Sequence, residues 1–253
     1  MKAVWEGSIA FGLVNIPVKL FSAVQPREVG FRLLDAKSKT PIEYKRWCPV
    51  CSEEVEWKDV VKGLEIKKGE YYIFSKEELE KLKPEKTERI DIEEFVDSGS
   101  IDSVYYNKHY YAAPEKEGEK AFFLFKEVLL LTAKVAVGRF VMREKEYVCA
   151  IESYKNGLLL TTLNYSEEVR DIGQITELKK PPKLSLQEVE LAKKLVAMMQ
   201  RKELGMEKFH DTFAEDVKKA IKSKKKIEVE VAAKPKPTKE KDLMQSLKMS
   251  LKK

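Results

Sequence analysis

The chain has 253 residues, of which 43% are hydrophobic and 36% charged, enough apolar side chain for one large core with an appendage. No run of 18 apolar residues exists and Glu6 interrupts the N-terminal segment early, so neither a membrane span nor a signal peptide is expected and the protein is assigned to the cytoplasm. Three cysteines are not a disulfide framework, and the net charge of +6 sits unevenly: residues 222–253 hold eleven lysines against four acids, leaving −1 for the first 221 residues.

Within that body the signs segregate. Residues 1–47 carry eight basic and four acidic side chains, and residues 48–120 carry twelve and nineteen. A duplex-binding surface therefore has to be a local basic stripe with acidic elements turned away from it.

In chain order, Ile9 to Phe21 reads as two strands meeting at a bend. Ile16, Val18 and Leu20 share a face, and Pro17 suggests a sheet edge or strand start. Phe31 to Leu34 reads as a further strand, followed by a basic loop and by Lys45 and Arg46 between Tyr44 and Trp47. Cys48-Pro49-Val50-Cys51 has the spacing of half a tetrahedral zinc site, but Cys149, His109 and His210 stand far off in sequence, so no metal is assigned. Trp57 to Glu65 predicts a helical turn ended by Gly63, and Tyr71 to Phe74 predicts a strand. Ser75 and Glu78 form a capping box opening a helix to Leu82.

Residues 88–114 predict two extended segments around Ser98-Gly99. Alternation puts Tyr105, His109 and Tyr111 on one face of the second segment, and Tyr106, Lys108 and Tyr110 on the other. Such tyrosines chiefly bury apolar area in a sheet; a platform for stacking nucleobases is the second reading.

Ala121 to Leu129 is an amphipathic helix. Val135 to Met142, Tyr147 to Tyr154 and Leu158 to Leu163 form an antiparallel meander, with Asn156-Gly157 suited to a type I′ turn. The strands between residues 4 and 164 suggest a closed or nearly closed barrel. Ser185 and Glu188 form a second capping box, opening a helix to about Leu204 whose apolar face holds Val189, Ala192, Leu195, Val196 and Met199. Thr212 begins another helix. Residues 232–241 read as a tether, and Leu243, Met244, Leu247 and Leu251 recur at helical spacing in a segment too short to be stable alone.

Trp5 to Val18, Val61-Lys62-Gly63-Leu64-Glu65, Ile90 to Val96, Tyr110-Tyr111-Ala112-Ala113-Pro114 and Glu168-Val169-Arg170-Asp171 resemble, in order, the motifs of the prokaryotic Ku proteins of non-homologous end joining. The resemblance implies a mixed, β-rich fold: an antiparallel β-barrel core with ring-forming insertions and a C-terminal helical arm. It also implies a homodimeric ring threaded by the end of double-stranded DNA, nucleoid-associated and recruiting an ATP-dependent end-joining DNA ligase. The expected domains are residues 1–180 for the core and bridge, 181–226 for the arm and 227–253 for the tail.

Charge clustering nominates Arg27, Arg32, Lys37, Lys39, Lys45 and Arg46 for phosphate contact, with Arg139 and Arg143 beside them. Leu243, Met244, Leu247 and Leu251 are the candidate ligase-docking stripe. No P-loop, HExxH or GxSxG motif is present, no cofactor is implied and no catalytic residue is assigned. The rival readings are a single-strand-binding barrel using the tyrosines and a lysine-dependent abasic-site lyase, which would need a desolvated, neutral lysine.

Overall fold

The computed structural model describes residues 1–26, 29–37, 40–85 and 87–223. Two compact units emerge, one covering most of the chain to Arg170 and one beginning at Asp171.

The first unit is a closed seven-stranded barrel. β1 (Trp5–Phe11) and β2 (Val14–Ser22) form its first hairpin, turning at Gly12, whose φ of +57° suits a residue without a Cβ. β7 (Arg89–Asp97) and β8 (Tyr106–Pro114) follow two small excursions, and β9 (Lys134–Met142), β10 (Lys145–Tyr154) and β11 (Gly157–Leu163) form the meander. The order around the barrel is β1-β2-β8-β11-β10-β9-β7. All neighbours are antiparallel except β1 and β7, which run parallel with Ile9 opposite Ile90 and close the barrel, so the sheet is mixed. Closure leaves no sheet edge, so Pro17 lies inside a paired strand opposite Ser8, whose N–H turns instead to the Glu88 carbonyl.

Period-two alternation builds the core as expected: Ile16, Val18 and Leu20 are fully buried with Ile9, Ile90, Phe140, Cys149, Ile151, Leu158 and Leu160. At Gly138 an added Cβ would lie 2.2 Å from the Asp91 carbonyl oxygen, so only glycine allows β7 and β9 to approach this closely. Trp5 packs edge-on against Phe140 at 5.6 Å and donates its indole N–H to the Val141 carbonyl at 3.0 Å, which satisfies the one polar atom the ring brings inward.

One end of the barrel is plugged by α2 (Glu119–Thr132). Phe122, Phe125 and Leu129 enter the core, and Phe125 stacks on Phe11 at 5.0 Å and meets Phe95 edge-on, side chains from the finishing ends of β1 and β7. Ala133, in the left-handed region at φ 51°, ends the helix. The other face of α2 is not covered: Leu124, Val128, Leu130 and Leu131 are all exposed.

The excursion between β2 and β7 carries little core. The segment expected to form a strand at Phe31 to Leu34 makes only an isolated bridge, Leu34 to Pro41. β3 (Trp47–Cys48) and β4 (Glu53–Glu54) are a two-residue ladder. The helical turn stops at Asp59, and Gly63 falls in β5 (Lys62–Lys67), paired with β6 (Glu70–Phe74). α1 (Lys76–Lys81) has the expected capping box.

The second unit holds α3 (Leu186–Met199), opened by the Ser185 and Glu188 capping box and ending five residues before the expected Leu204, and α4 (Thr212–Ser223). No residue of α3 is buried. No helix among the described residues is long and apolar enough to cross a membrane.

Candidate nucleic-acid interface

The eight candidate cations separate into groups with different surroundings. Arg27 and Lys39 lie outside the described residues. Arg32 and Lys37 are exposed on the irregular segment between β2 and β3, where the Asp35 carboxylate is turned to the Lys37 backbone N–H at 3.1 Å. Neither makes an ion pair among the described residues, so both charges remain available to a phosphate.

Lys45 and Arg46 stand together beside the β3-β4 ladder but are engaged locally. Lys45 binds Glu54 at 2.8 Å; this hydrogen bond and the accompanying charge attraction raise the Lys45 pKa and lower that of Glu54. Arg46 donates Nε–H to the Val55 carbonyl at 3.0 Å and lies over the Trp57 ring at 4.9 Å. Arg139, on β9, is held by Glu93 at 3.0 Å and Glu146 at 3.8 Å, an arrangement that neutralises it on the barrel wall. Arg143 is exposed in the turn joining β9 to β10, where it and Glu144 both adopt positive φ, 52° and 67°. Its neighbour Glu144 pairs with Lys83 at 2.9 Å.

Of the four tyrosines of the nucleobase-platform reading, Tyr105, Tyr106 and Tyr111 are half-buried. Tyr110 is 8% exposed within the core, and Tyr111 stacks on Tyr154 at 5.9 Å with nearly parallel rings. The strand also carries a β-bulge: Thr161 opposes His109 and Leu163 opposes Tyr106, so Thr162 alone faces Asn107 and Lys108. The bulge interrupts the alternation expected for Tyr106, Lys108 and Tyr110. Lys108 is a cation that sequence clustering passes over, because its nearest basic neighbours come from other strands.

A Schiff-base lysine is not favoured by these surroundings. The lysines with a resolved shift, Lys19, Lys45 and Lys83, are all pushed upward by adjacent carboxylates and held protonated, the opposite of what a neutral nucleophile needs.

At the tip of the β3-β4 ladder the Cys51 N–H donates to Cys48 Sγ at 3.4 Å. That bond, with further donation from the Cys51 thiol and the Val50 N–H, lowers the Cys48 pKa, whereas the Cys51 thiol is raised by its partner. Among the described residues no group of three or more His, Cys, Asp or Glu side chains comes together to hold a metal ion. Cys149 is buried in the barrel wall, and desolvation pushes its thiol up to about 12. Leu243, Met244, Leu247 and Leu251 lie outside the described residues.

A family model described as the Ku70/Ku80 beta-barrel domain matches residues 10–198. A non-homologous end joining protein Ku of Archaeoglobus fulgidus is 38% identical over 224 residues, covering 88% of each chain. Its counterpart in Coxiella burnetii is 37% identical over 99% of this chain and 94% of its own, and that of Bacillus subtilis is 31% identical over 88% and 72%.

Proposed function

The chain belongs to the Ku family, and from that premise we propose that it binds the ends of double-stranded DNA in non-homologous end joining, as a homodimeric ring that grips phosphates and recruits an ATP-dependent DNA ligase. The observation that carries this reading is alignment with relatives of that name along almost the whole chain.

Charge distribution supports a ring in particular. A body with a net charge of −1 offers DNA no overall attraction, but a ring needs cations only where the duplex passes, and Arg32, Lys37 and Arg143 are cations without a carboxylate partner among the described residues. Support for a second copy comes from apolar surface left uncovered. On the β5-β6 hairpin Leu64 and Tyr72, paired across the ladder, are 56% and 66% exposed, and Ile66 in the adjoining bulge is 55% exposed, apolar surface that in water favours association. The ligase would take the stripe of Leu243, Met244, Leu247 and Leu251 in a short helix that folds as it docks.

The test compares linear duplex with covalently closed circular duplex of equal length at matched salt. Linear DNA loads onto a ring and the closed circle does not; equal affinity for the two would remove the ring. Sedimentation should give a species of about twice the 29.2 kDa chain mass. Leu243→Asp with Leu247→Asp should abolish ligase stimulation while leaving end binding intact, and unchanged stimulation would mean that the tail works by charge alone.

A further inference from the structure

The two ends of the barrel are built differently. α2 fills one. At the other, where β2 finishes, β8 begins and β9 turns into β10, a cavity of about 390 Å³ opens, with Asn107, Lys108, His109 and Arg143 around Tyr110 and Met142. Barrel mouths are a common place for small-molecule sites, because the closed wall supplies an apolar floor and the rim supplies polar groups.

Its charge is one-sided. No carboxylate lines the cavity among the described residues, and neither Lys108 nor Arg143 has an acidic partner there. Arg143 also borders a neighbouring cavity of about 530 Å³, but that one is lined by Glu6, Glu88 and Glu144, of which Glu6 and Glu144 are paired with Lys19 and Lys83, so its lining is acidic where the Lys108 side has no carboxylate. Anion binding therefore falls on the Lys108 side.

The rim is fixed rather than loose. Lys108 sits in the β-bulge, where the Thr162 hydroxyl accepts its backbone N–H at 3.1 Å and donates to its carbonyl at 3.3 Å. Bulges at barrel rims re-aim side chains in this way. His109 Nδ1 lies 2.9 Å from the hydroxyl of the buried Thr161; when that hydroxyl donates, Nε2 carries the ring's N–H. Tyr110 and Met142, 8% and 6% exposed, form the floor. Burial raises the Tyr110 pKa, and the charge of Arg143 opposes the rise, which places that guanidinium within electrostatic reach of the floor.

We propose that this mouth is a phosphomonoester site, in which Lys108 and Arg143 hold the phosphate and Tyr110 and Met142 carry the attached sugar or base. A phosphomonoester bears nearly two negative charges near neutrality, matching two cations without an acid. A phosphodiester bears one, and its chain must leave in two directions from a cavity closed by a floor. The volume exceeds that of a phosphate alone and suits a nucleotide unit. Two sources share this chemistry: the terminus of a DNA strand, for which the inference rests on the end-binding reading above, and a free nucleoside monophosphate, for which it does not.

The test uses the full chain. Isothermal titration with dCMP and with deoxycytidine reads the site without DNA, and dCMP should bind about tenfold tighter, an advantage lost in Lys108→Gln with Arg143→Gln. Both side chains are exposed, so the double variant should keep the wild-type melting temperature. Blunt duplexes with 5′-phosphate or 5′-hydroxyl ends then read the strand terminus: a preference of about fivefold to tenfold for the phosphate, falling below about twofold in the double variant. A dCMP advantage without an end preference assigns the site to free nucleotide. Absence of both overturns the inference, while tight binding of both duplexes would leave the end-binding reading standing. Failure of both duplexes to bind, with dCMP still bound, overturns only the end-binding reading.

Discussion

Phe122 and Phe123 are adjacent in the same helix and differ in what they touch, so truncating each in turn isolates the plug function of α2. Phe122 is fully buried in the barrel core, and Phe123, edge-on to it at 5.4 Å, is 50% exposed. Both changes to alanine gain the same small helix propensity, which cancels in the comparison. For Phe122→Ala the lost transfer free energy adds to the cavity left behind, about 3 to 5 kcal/mol in all. For Phe123→Ala only half a side chain of burial is lost and solvent fills the space, about 1 kcal/mol. For a unit of this size each kcal/mol lowers the melting temperature by about 2 to 4 °C, so Phe122→Ala should melt roughly 6 to 20 °C below wild type and Phe123→Ala within about 4 °C of it. Calorimetry or far-UV dichroism reads both. Equal shifts for the two variants would refute the assignment of α2 as the plug, since no other difference between the positions separates them so far.

Arg32→Gln with Lys37→Gln should flatten the dependence of log affinity for duplex on log salt by about 1.8, because each phosphate contact contributes about 0.9. Arg139→Gln, whose charge already serves Glu93 and Glu146, should change the slope by less than about 0.5, and an equal effect would show that ion pairing does not sort the contacts. Iodoacetamide at pH 8 should modify Cys48 first, then Cys51, and should leave Cys149 untouched until the chain is unfolded, since a thiol pushed up to about 12 presents almost no thiolate; rapid labelling of all three in the native protein would contradict the burial of Cys149. Leu64→Asp with Ile66→Asp should yield a monomer in sedimentation with the melting temperature unchanged, because neither side chain is buried within the chain. A surviving dimer would move the interface elsewhere.

The barrel was legible wherever burial repeats with a short period. Ile16, Val18 and Leu20 announce an inward face because each is surrounded by the same core, and the meander is readable because its strands are consecutive and joined by short turns. The parallel β1-β7 seam was not legible, since the two strands are joined by an excursion whose own residues give no sign of what it brings together. With Phe31, Leu33 and Leu34 all exposed, no buried face sets a register for this segment, and its ladder among the described residues is the Leu34 to Pro41 bridge. Turn chemistry misled in one place and was silent in another. Tyr154 pairs with Gly157, so Lys155 and Asn156 make the turn and Lys155 takes positive φ at 50°, one residue earlier than Asn156-Gly157 suggests. The turn with two positive-φ residues is Arg143-Glu144, which contains neither glycine nor asparagine; strand register imposes it against local preference.

The same reasoning explains why the candidate site was only partly visible. Clustering in sequence finds cations that stand together along the chain, yet Lys45, Arg46 and Arg139 spend their charge on neighbours, which only the fold reveals. Lys108 and Arg143 are 35 positions apart and come to one rim through the order of strands in a closed barrel. The bulge that fixes Lys108 depends on how β8 pairs with β11, more than fifty residues further on, through Thr162. A signal of that kind lies in the pairing of two segments and in neither segment alone. A closed barrel settles every such pairing at once, so its rim is where the chemistry departs furthest from what any one strand displays.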